Sequence, residues 1–356
     1  MIDFSNNSIK TIHPYINDRI EHIQNALYPK NHLWGIDIFD ENKNYPSRII
    51  PNTKFPSPIN RAFRRFLLSN FSPGLNIEIL SFLQSFRSLI LYSVCGPLSL
   101  VPIYGNAKVF CWVFSPPRKN YKGFFHPYNQ NNLRNYSGFL CLTPKAEKYF
   151  SQFAPSKFIP WCVDLEMFDG KNSHESADKP FFLASGKTGR DYETLIKAAP
   201  ETKAEIRIIG PINQRPTSCP DNVNWIETSI NPPDQAIDYP TLKKWYAQCS
   251  GVCIPLSGDA NDTCGYTNML EGMAMAKPVL MTRSGCLHID PKSQNFGLLI
   301  EPQDSKGWSN SMNKIINDPA TANEFGQNGR TIAKCEFTIE RFNHDVVTFI
   351  NQILEY

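Results

Sequence analysis

A chain of 356 residues, 41% hydrophobic and 19% charged, is longer than a single core usually supports, so two domains with a cleft between them are expected. Its richest apolar stretch, Ile77 to Ile103, is interrupted by Glu78, Gln84 and Arg87, which excludes the run of ~18 apolar residues that a membrane-spanning helix needs. The net charge of +3 conceals an asymmetry: residues 1 to 163 hold 18 Lys and Arg against 8 Asp and Glu, a balance of +10, and residues 164 to 356 hold 18 against 25, a balance of −7.

So uneven a split suggests that the first half meets an anionic partner, either a membrane surface, a phosphorylated acceptor or nucleic acid. The opening Met1-Ile2-Asp3-Phe4-Ser5 shows no basic segment leading into an apolar one, so a cytoplasmic location is expected. Ten cysteines are scattered without a CxxC pair and read as reduced structural thiols. Cys249 and Cys253 flank a buried strand start with no His or acidic partner at metal spacing, and are assigned to packing.

In chain order, the first half offers strands at His32–Phe39, Ser88–Ser93, Ala107–Phe114 and Tyr136–Leu142. Prolines at 46, 51, 56, 58, 97, 102, 116 and 117 predict long loops between them. Within Ile59–Leu68, Arg61, Arg64 and Arg65 share one side of a helix at i, i+3 and i+4, with Phe63, Phe66 and Leu67 on another. Such a basic amphipathic helix can lie on an anionic bilayer; a surface helix packing its Phe side on the core is the alternative. The polar segment Asp169–Lys179 reads as a linker.

From Phe181 onward, short apolar runs alternate with amphipathic stretches. Strands are expected at Phe181–Ser185, Ala204–Gly210, Asn222–Ile226, Gly251–Leu256, Pro278–Thr282 and Gly297–Ile300. Helices are expected at Tyr192–Ala199, Thr241–Gln248, Thr267–Ala276 and Ser305–Ile316, with Asp318-Pro319 closing the last of these, and a final helix at Ile339–Tyr356. Alternation of this kind predicts a doubly wound α/β domain.

The richest motif is Gly265-Tyr266-Thr267-Asn268-Met269-Leu270-Glu271-Gly272-Met273-Ala274-Met275-Ala276-Lys277-Pro278. A strand ending near Leu256 leads into a helix opening at Gly265 to Asn268, and the free N–H groups and positive dipole end of such a helix suit a phosphate. Glu271 lies one turn in, where a carboxylate can accept hydrogen bonds from a ribose; a solvent-facing Glu above a Met-rich core face is the alternative.

Here the sequence resembles a family, the retaining glycosyltransferases of group 1, also called family 4, with the GT-B fold. Their motif Leu-Glu-Ala-Met-Ala-x-Gly-Lys-Pro is similar to Leu270–Pro278, which reads Leu-Glu-Gly-Met-Ala-Met-Ala-Lys-Pro. Further matches follow in the right order: Ser185-Gly186-Lys187 with Arg190-Asp191-Tyr192, Ile254-Pro255-Leu256, and Gly297-Leu298-Leu299-Ile300 followed by Pro302 and Asp304. The resemblance covers Phe181 to about Phe342 and is loose over residues 1 to 150. It implies two Rossmann-like domains facing a central cleft: residues 1–165 on the acceptor side, a linker at 166–179, a nucleotide-sugar domain at 180–340, and a C-terminal helix at 341–356 that crosses back to the first domain.

The resemblance also implies roles for residues. Glu271 binds the donor ribose; Gly265, Tyr266, Thr267 and Asn268 offer the helix terminus to the diphosphate; Gly186 with Lys187, and Arg190, take the places of the family's cations that neutralise the leaving group. With those cations no metal and no cofactor is expected. The activity implied is transfer of a sugar, of hexosyltransferase type, from a nucleotide diphosphate to a hydroxyl of a glycan, lipid or lipid-linked acceptor. Neither secretion nor nucleic acid is expected, whereas a peripheral position on the inner face of a membrane fits the arginines.

Two departures from the family pattern stand out. Where many members have a second Glu contacting the transferred sugar, this chain has Thr263, with Asp262 beside it. Members also place a His after a strand in the first domain, and His126 is the nearest to the Ala107–Phe114 strand. A GT-B sugar-nucleotide epimerase and a non-catalytic nucleotide-sugar-binding protein are the rival readings.

Overall fold

Short β-branched and aromatic runs give two parallel sheets in the computed structural model, which describes residues 9–13, 16, 19–39, 49–50, 57–63, 74–94, 96–171, 177–228, 237–259, 261, 263–285 and 287–355. The chain divides into two units. The first comprises Met1–Gln24, Asn31–Trp161 and Glu340–Tyr356, and the second Asn25–Lys30 and Cys162–Ile339.

In the first unit the elements run β1 (Ile9–Ile12), α1 (Ile20–Gln24), α2 (Ser57–Phe63), α3 (Leu75–Ser85), β2 (Ile90–Ser93), α4 (Val101–Tyr104), β3 (Lys108–Val113), α5 (Gln130–Leu133), β4 (Gly138–Cys141), α6 (Pro144–Phe150) and β5 (Ser156–Phe158). The five strands pair in parallel in chain order. Every residue of β2 and β4 is buried, the continuous apolar pattern of a strand covered on both faces. Glu78 of α3 is wholly buried, yet its carboxylate accepts N–H bonds from Ser99 at 2.9 and 3.1 Å and from Leu100 at 3.0 Å. It thus satisfies backbone donors at the start of α4 that have no partner within the helix.

The strand expected at His32–Phe39 is instead two 3₁₀ turns, Lys30–Leu33 and Ile36–Phe39. Trp34 and Gly35 between them both take positive φ, 53° and 82°, which no strand tolerates, and the Tyr92 hydroxyl donates to the Trp34 carbonyl at 2.7 Å. Strands β1 and β5 were not expected. Arg61 is exposed on α2, while Arg64 and Arg65 lie outside the described residues.

In the second unit the order is β6 (Phe181–Ser185), α7 (Tyr192–Ala198), β7 (Glu205–Pro211), β8 (Val223–Thr228), α8 (Tyr239–Gln248), β9 (Gly251–Ile254), α9 (Tyr266–Ala274), β10 (Val279–Thr282), β11 (Gly297–Ile300), α10 (Ser305–Asn317) and α11 (Pro319–Glu336). Six parallel strands are arranged β11-β10-β9-β6-β7-β8. Leu195, Ile206, Ile208, Cys253, Leu280, Trp308 and Met312 meet in one core. Asp318-Pro319 ends α10 as expected, but it also starts α11: the Asp318 carboxylate accepts from the Thr321 N–H at 3.1 Å and hydroxyl at 2.6 Å, with Pro319 in the first turn.

A linker over 166–179 is not what the structure shows for its described part. Phe168 is fully buried in the second unit, Asp169 pairs with Lys243 at 3.2 Å, and Arg330 of α11 donates to the carbonyls of Phe168 and Asp169. The short excursion Asn25–Lys30 is bound to this unit too: the Lys30 N–H donates to Asp164 Oδ2 at 2.8 Å, and the Tyr28 ring packs edge-on to Tyr239 at 4.7 Å. The last helix, α12 (Ile339–Leu354), belongs from Glu340 onward to the first unit. There Phe342 stacks on Trp112 at 5.4 Å and Phe349 meets Phe110 edge-on at 6.2 Å.

Among the described residues no group of three or more His, Cys, Asp or Glu is placed to hold a metal ion, and no helix is long and apolar enough to cross a membrane. Where the resembling motif has Gly, Ala276 stands in the left-handed region at φ 53°, just past the end of α9. A Cβ there costs about 1 kcal/mol, so Ala276→Gly is expected to raise unfolding stability by up to that amount, measured as a shift in the denaturant midpoint of the cooperative unit that contains α9.

Candidate active site

After β6 the chain builds β7 and β8 to one side, then returns to place β9 on the other side of β6. Loops leaving the carboxyl ends of β6 and β9 therefore diverge, and such a reversal opens the crevice in which doubly wound sheets hold ligands. In the first unit the five described strands keep chain order and show no such reversal. The candidate site is thus at Ser185, the last residue of β6, and Ile254, the last of β9.

The two loops are tied to each other beyond the strands. Arg190 and Leu256 form an antiparallel bridge, the Asp191 N–H donates to the Pro255 carbonyl at 3.1 Å, and the Ser257 N–H to the Gly189 carbonyl at 3.2 Å. Thr282, at the end of β10, fixes the β9 loop from below by accepting the Leu256 N–H at 2.9 Å. The Asp191 carboxylate caps α7 through the Thr194 N–H and hydroxyl.

Within this frame Arg190 is held by three bonds: Nε donates to the Ser185 carbonyl at 3.1 Å, one terminal nitrogen to the Thr188 carbonyl at 3.0 Å, and the other to Asn268 Oδ1 at 2.6 Å. A guanidinium has five N–H groups, and the Tyr192 hydroxyl also takes a side-chain hydrogen bond from this one. Among the described residues no carboxylate forms an ion pair with it. Gly186 makes the arrangement possible, since at its φ of 134° a Cβ would fall 2.3 Å from a guanidinium nitrogen.

Helix α9 starts at Tyr266 behind Gly265, whose φ of 86° and place 2.5 Å from Ile254 Cγ2, measured from a built Cβ, admit only glycine. No side chain caps this terminus. Its first N–H groups carry the positive end of the helix dipole, with Thr267 and Asn268 half-buried and Tyr266 buried.

From Asn268 a chain of polar groups runs inward. Its Nδ2 donates to Ser185 Oγ at 2.8 Å and to the Tyr246 hydroxyl at 3.3 Å, and the Tyr246 hydroxyl donates to Glu271 Oε2 at 2.8 Å. Glu271 is only 2% exposed, so the solvent-facing alternative is excluded. Burial pushes its carboxyl up to about 8, against the opposing pull of the hydrogen bonds from Tyr246 and Asn268. The Tyr246 phenol is pushed well up by its own burial and by Glu271.

The fold therefore gathers Gly186, Arg190, Gly265, Asn268 and Glu271 at one crevice. Lys187 lies half-buried in the same loop, its carbonyl accepting from Gln214 Nε2 at 3.3 Å. Thr263 is half-buried in irregular backbone before α9, and Asp262 lies outside the described residues. His126 belongs to the first unit, in the loop after β3: its ring stacks on Tyr121 at 3.8 Å, and Nδ1 accepts the Tyr128 N–H at 3.1 Å. Burial and Lys119 lower its pKa, so near neutrality the imidazole is uncharged with its proton on Nε2.

Sequence reading gave Ser185 only as part of the Ser185-Gly186-Lys187 match, with no role of its own, and missed Tyr246. Tyr246 sits in an amphipathic helix where an aromatic reads as core, and only its depth beside Glu271 marks it. A cavity of about 350 Å³ adjoins the β9 loop at Gly258, lined also by Thr282, Arg283, Gly285 and Asp290.

Residues 181–318 match the family model described as glycosyl transferases group 1. The structure is similar to sucrose-phosphate synthase from Thermosynechococcus elongatus, with a TM-score of 0.61 and 18% identity over 87% of this chain and 84% of that one. It is also similar to Anabaena Alr3699/HepE in complex with UDP, with a TM-score of 0.62 and 12% identity over 97% and 100% of the two chains. A third similar structure is WaaG, a glycosyltransferase involved in lipopolysaccharide biosynthesis, with a TM-score of 0.56 and 12% identity over 85% and 86%. These likenesses give the fold as GT-B. Among curated proteins no sequence relative matches.

The raised Glu271 pKa has a consequence for stability. Below about 4.5, the ordinary value, folded and unfolded chains both hold the proton and its titration costs nothing. As pH rises to about 8 the unfolded chain loses the proton while the folded one keeps it, so stability falls across this window and levels off above it. Glu271→Gln is expected to abolish that fall, read by denaturant unfolding of both proteins at several pH values; parallel curves would contradict a buried, proton-bearing Glu271.

Proposed function

We propose that this chain, a glycosyltransferase of the GT-B fold whose residues 181–318 are those of group 1, moves a sugar from a nucleotide diphosphate to an acceptor hydroxyl with retention of configuration and without a metal ion. The observation that carries the reading is Arg190, an arginine without a carboxylate partner among the described residues, fixed from three sides beside the uncapped N-terminus of α9 at the sheet's switch point. Its guanidinium suits a phosphate, which such a group binds in forked fashion.

In this reading the diphosphate lies between Arg190 and the first turn of α9, with Thr267 and Asn268 offering backbone N–H groups. Lys187 approaches from the same loop. As the glycosidic bond breaks, negative charge grows on the leaving diphosphate, and fixed cations and helix N–H groups stabilise it more than they stabilise the intact donor. The ribose reaches Glu271 once the carboxyl turns from Tyr246 or shares an oxygen with it. UDP is the nucleotide to try first, because it is the one bound by the Anabaena protein.

The acceptor reading rests on charge. The balance of +10 over residues 1 to 163 and the exposed Arg61 support a phosphorylated glycan or a lipid-linked acceptor at an anionic surface on the inner face of a membrane, Arg64 and Arg65 joining Arg61 there. His126 is proposed as a contact of the transferred sugar, and Thr263 as the group standing where a second Glu is usual.

The test is a panel of UDP-, GDP- and ADP-sugars, read by release of nucleoside diphosphate and by proton NMR of the product's anomeric centre. Retained configuration and turnover unchanged by a chelator are expected; inversion, or loss of turnover in the chelator, would refute the respective part. Arg190→Ala is expected to lower kcat by about a hundredfold or more, as removal of one fixed donor to a developing charge does. The loss in donor affinity should be smaller, and Lys187→Ala should act in the same direction. Equal losses in rate and affinity would mean that these cations only hold the donor's ground state.

A further inference from the structure

Four side chains of the site are bonded in series, and the donors all point one way. Arg190 donates to Asn268 Oδ1 at 2.6 Å, Asn268 Nδ2 donates to the Tyr246 hydroxyl at 3.3 Å, and that hydroxyl donates to Glu271 Oε2 at 2.8 Å. Each amide or hydroxyl in the series accepts on one side and donates on the other, so each bond polarises the next. The series has a cation at its half-exposed end and a carboxyl at its buried end.

We propose that Asn268 and Tyr246 are positioning residues that couple Arg190 to Glu271, so that the diphosphate and ribose ends of one nucleotide are bound cooperatively. The inference rests on the donor site proposed above and names how its two ends communicate. A phosphate that draws on the Arg190 guanidinium changes the bond to Asn268 Oδ1. The amide then shifts its hold on Tyr246, and the Tyr246 hydroxyl its hold on the Glu271 carboxyl. Neither positioning residue need touch the reacting bond.

What surrounds Glu271 makes this series its main polar connection. From α8 it faces the phenols of Tyr246 and of Tyr239, both held neutral by burial. Tyr239 in turn packs on Tyr28 of the Asn25–Lys30 excursion and on Phe168, 6.2 Å away. The strands against α9 contribute Val252 and Ile254, which lie against Gly272 and Gly265, and no charged side chain. On α11, Arg330 donates to the Ala274 carbonyl at the far end of α9. Arg190 is therefore the cation that Glu271 reaches through side chains of the site, and it does so by way of Asn268, which meets the carboxyl both directly and through Tyr246.

The experiment is a double-mutant cycle on nucleotide affinity, with UDP, GDP and ADP each titrated by calorimetry. Arg190→Lys and Glu271→Gln are made singly and together, first in the native background and then with Tyr246→Phe. Coupled groups typically depart from additivity by a factor of about 2 to 100. In the native background the double variant's dissociation constant is expected to differ from the product of the single effects by at least threefold. With Tyr246→Phe, which removes one of the two links from Asn268 to Glu271, the departure should shrink, and with Asn268→Ala, which removes both, the single effects should multiply. Asn268 is half-exposed, so its Ala variant also serves should the Phe variant fold poorly.

A second readout is the pH dependence of affinity. Ribose hydroxyls donate to the ionised carboxyl, so affinity should rise as Glu271 ionises and the rise should vanish in Glu271→Gln. Loss of the Tyr246 hydroxyl removes a donor that favours the carboxylate, so in Tyr246→Phe the rise should move to higher pH. Multiplicative effects in the native background, or an unmoved pH profile in Tyr246→Phe, would overturn the coupling while leaving the donor site standing. Failure of all three nucleotides to bind the native protein would remove the donor site and the coupling with it.

Discussion

One guanidinium sets the geometry of the second unit's crevice. Arg190 leaves a loop five residues beyond the end of β6 and turns back to bond the last carbonyl of that strand, while its other end takes the side chain of a residue in the first turn of α9. Two segments more than 70 residues apart in sequence are thereby fixed at the place where the strand order reverses. Without that clasp the loops would be joined only by the backbone bonds of residues 189–191 to 255–257, and the α9 terminus would keep its bond from Asn268 Nδ2 to Ser185 Oγ but lose the second link to β6. A charged group can serve in this way because its bonds go to two carbonyls and an amide: the charge is solvated by dipoles and not neutralised, so a field remains for an incoming anion.

Behind the clasp, the interior imposes the opposite demand. A carboxyl as buried as Glu271 must either keep its proton or find donors, and the site gives it one hydroxyl and one amide, neither charged. Glu78 in the first unit shows the contrasting solution: equally buried, it faces three backbone N–H bonds from two residues at a helix start, a setting in which the acceptor role is filled entirely by structure. The difference separates a carboxyl that completes a fold from one left responsive to its neighbours.

Much of the second unit was legible because β6, β9 and β10 are buried on both faces and bounded by turn residues, so each of these short apolar runs had one reading. Glu271 was legible through its place one turn into the helix that opens at Gly265, and Arg190 only through the resemblance to the family's pattern after the first strand of this unit. What sequence did not disclose was the partnership between them, because Asn268 and Tyr246 look like an ordinary helix-start residue and an ordinary core aromatic. The first unit was harder for a physical reason as well. Its Trp34-Gly35 turn depends on a hydroxyl from β2, 58 residues away, and a local pattern of apolar residues cannot register such a tertiary override. Asp318-Pro319 misled in a simpler way, since the same pair that ends one helix caps the next.

The division into units does not follow the division of the sequence. Asn25–Lys30 is built into the second unit through Asp164 and Tyr239, and Glu340–Tyr356 into the first through Trp112 and Phe110. Each core is therefore finished by a segment from the other end of the chain, with Phe342 and Phe349 closing over strands more than 200 residues earlier. Contacts of that separation require large loops to close before they return any stabilisation, so the last helix should join late in folding. Until it does, the aromatic face of β3 carrying Phe110 and Trp112 lacks its cover. The same exchange brings the Asn25–Lys30 segment close to the site: Tyr28 packs on Tyr239, which faces Glu271, so this piece of chain rests one aromatic ring away from the buried end of the Arg190 series.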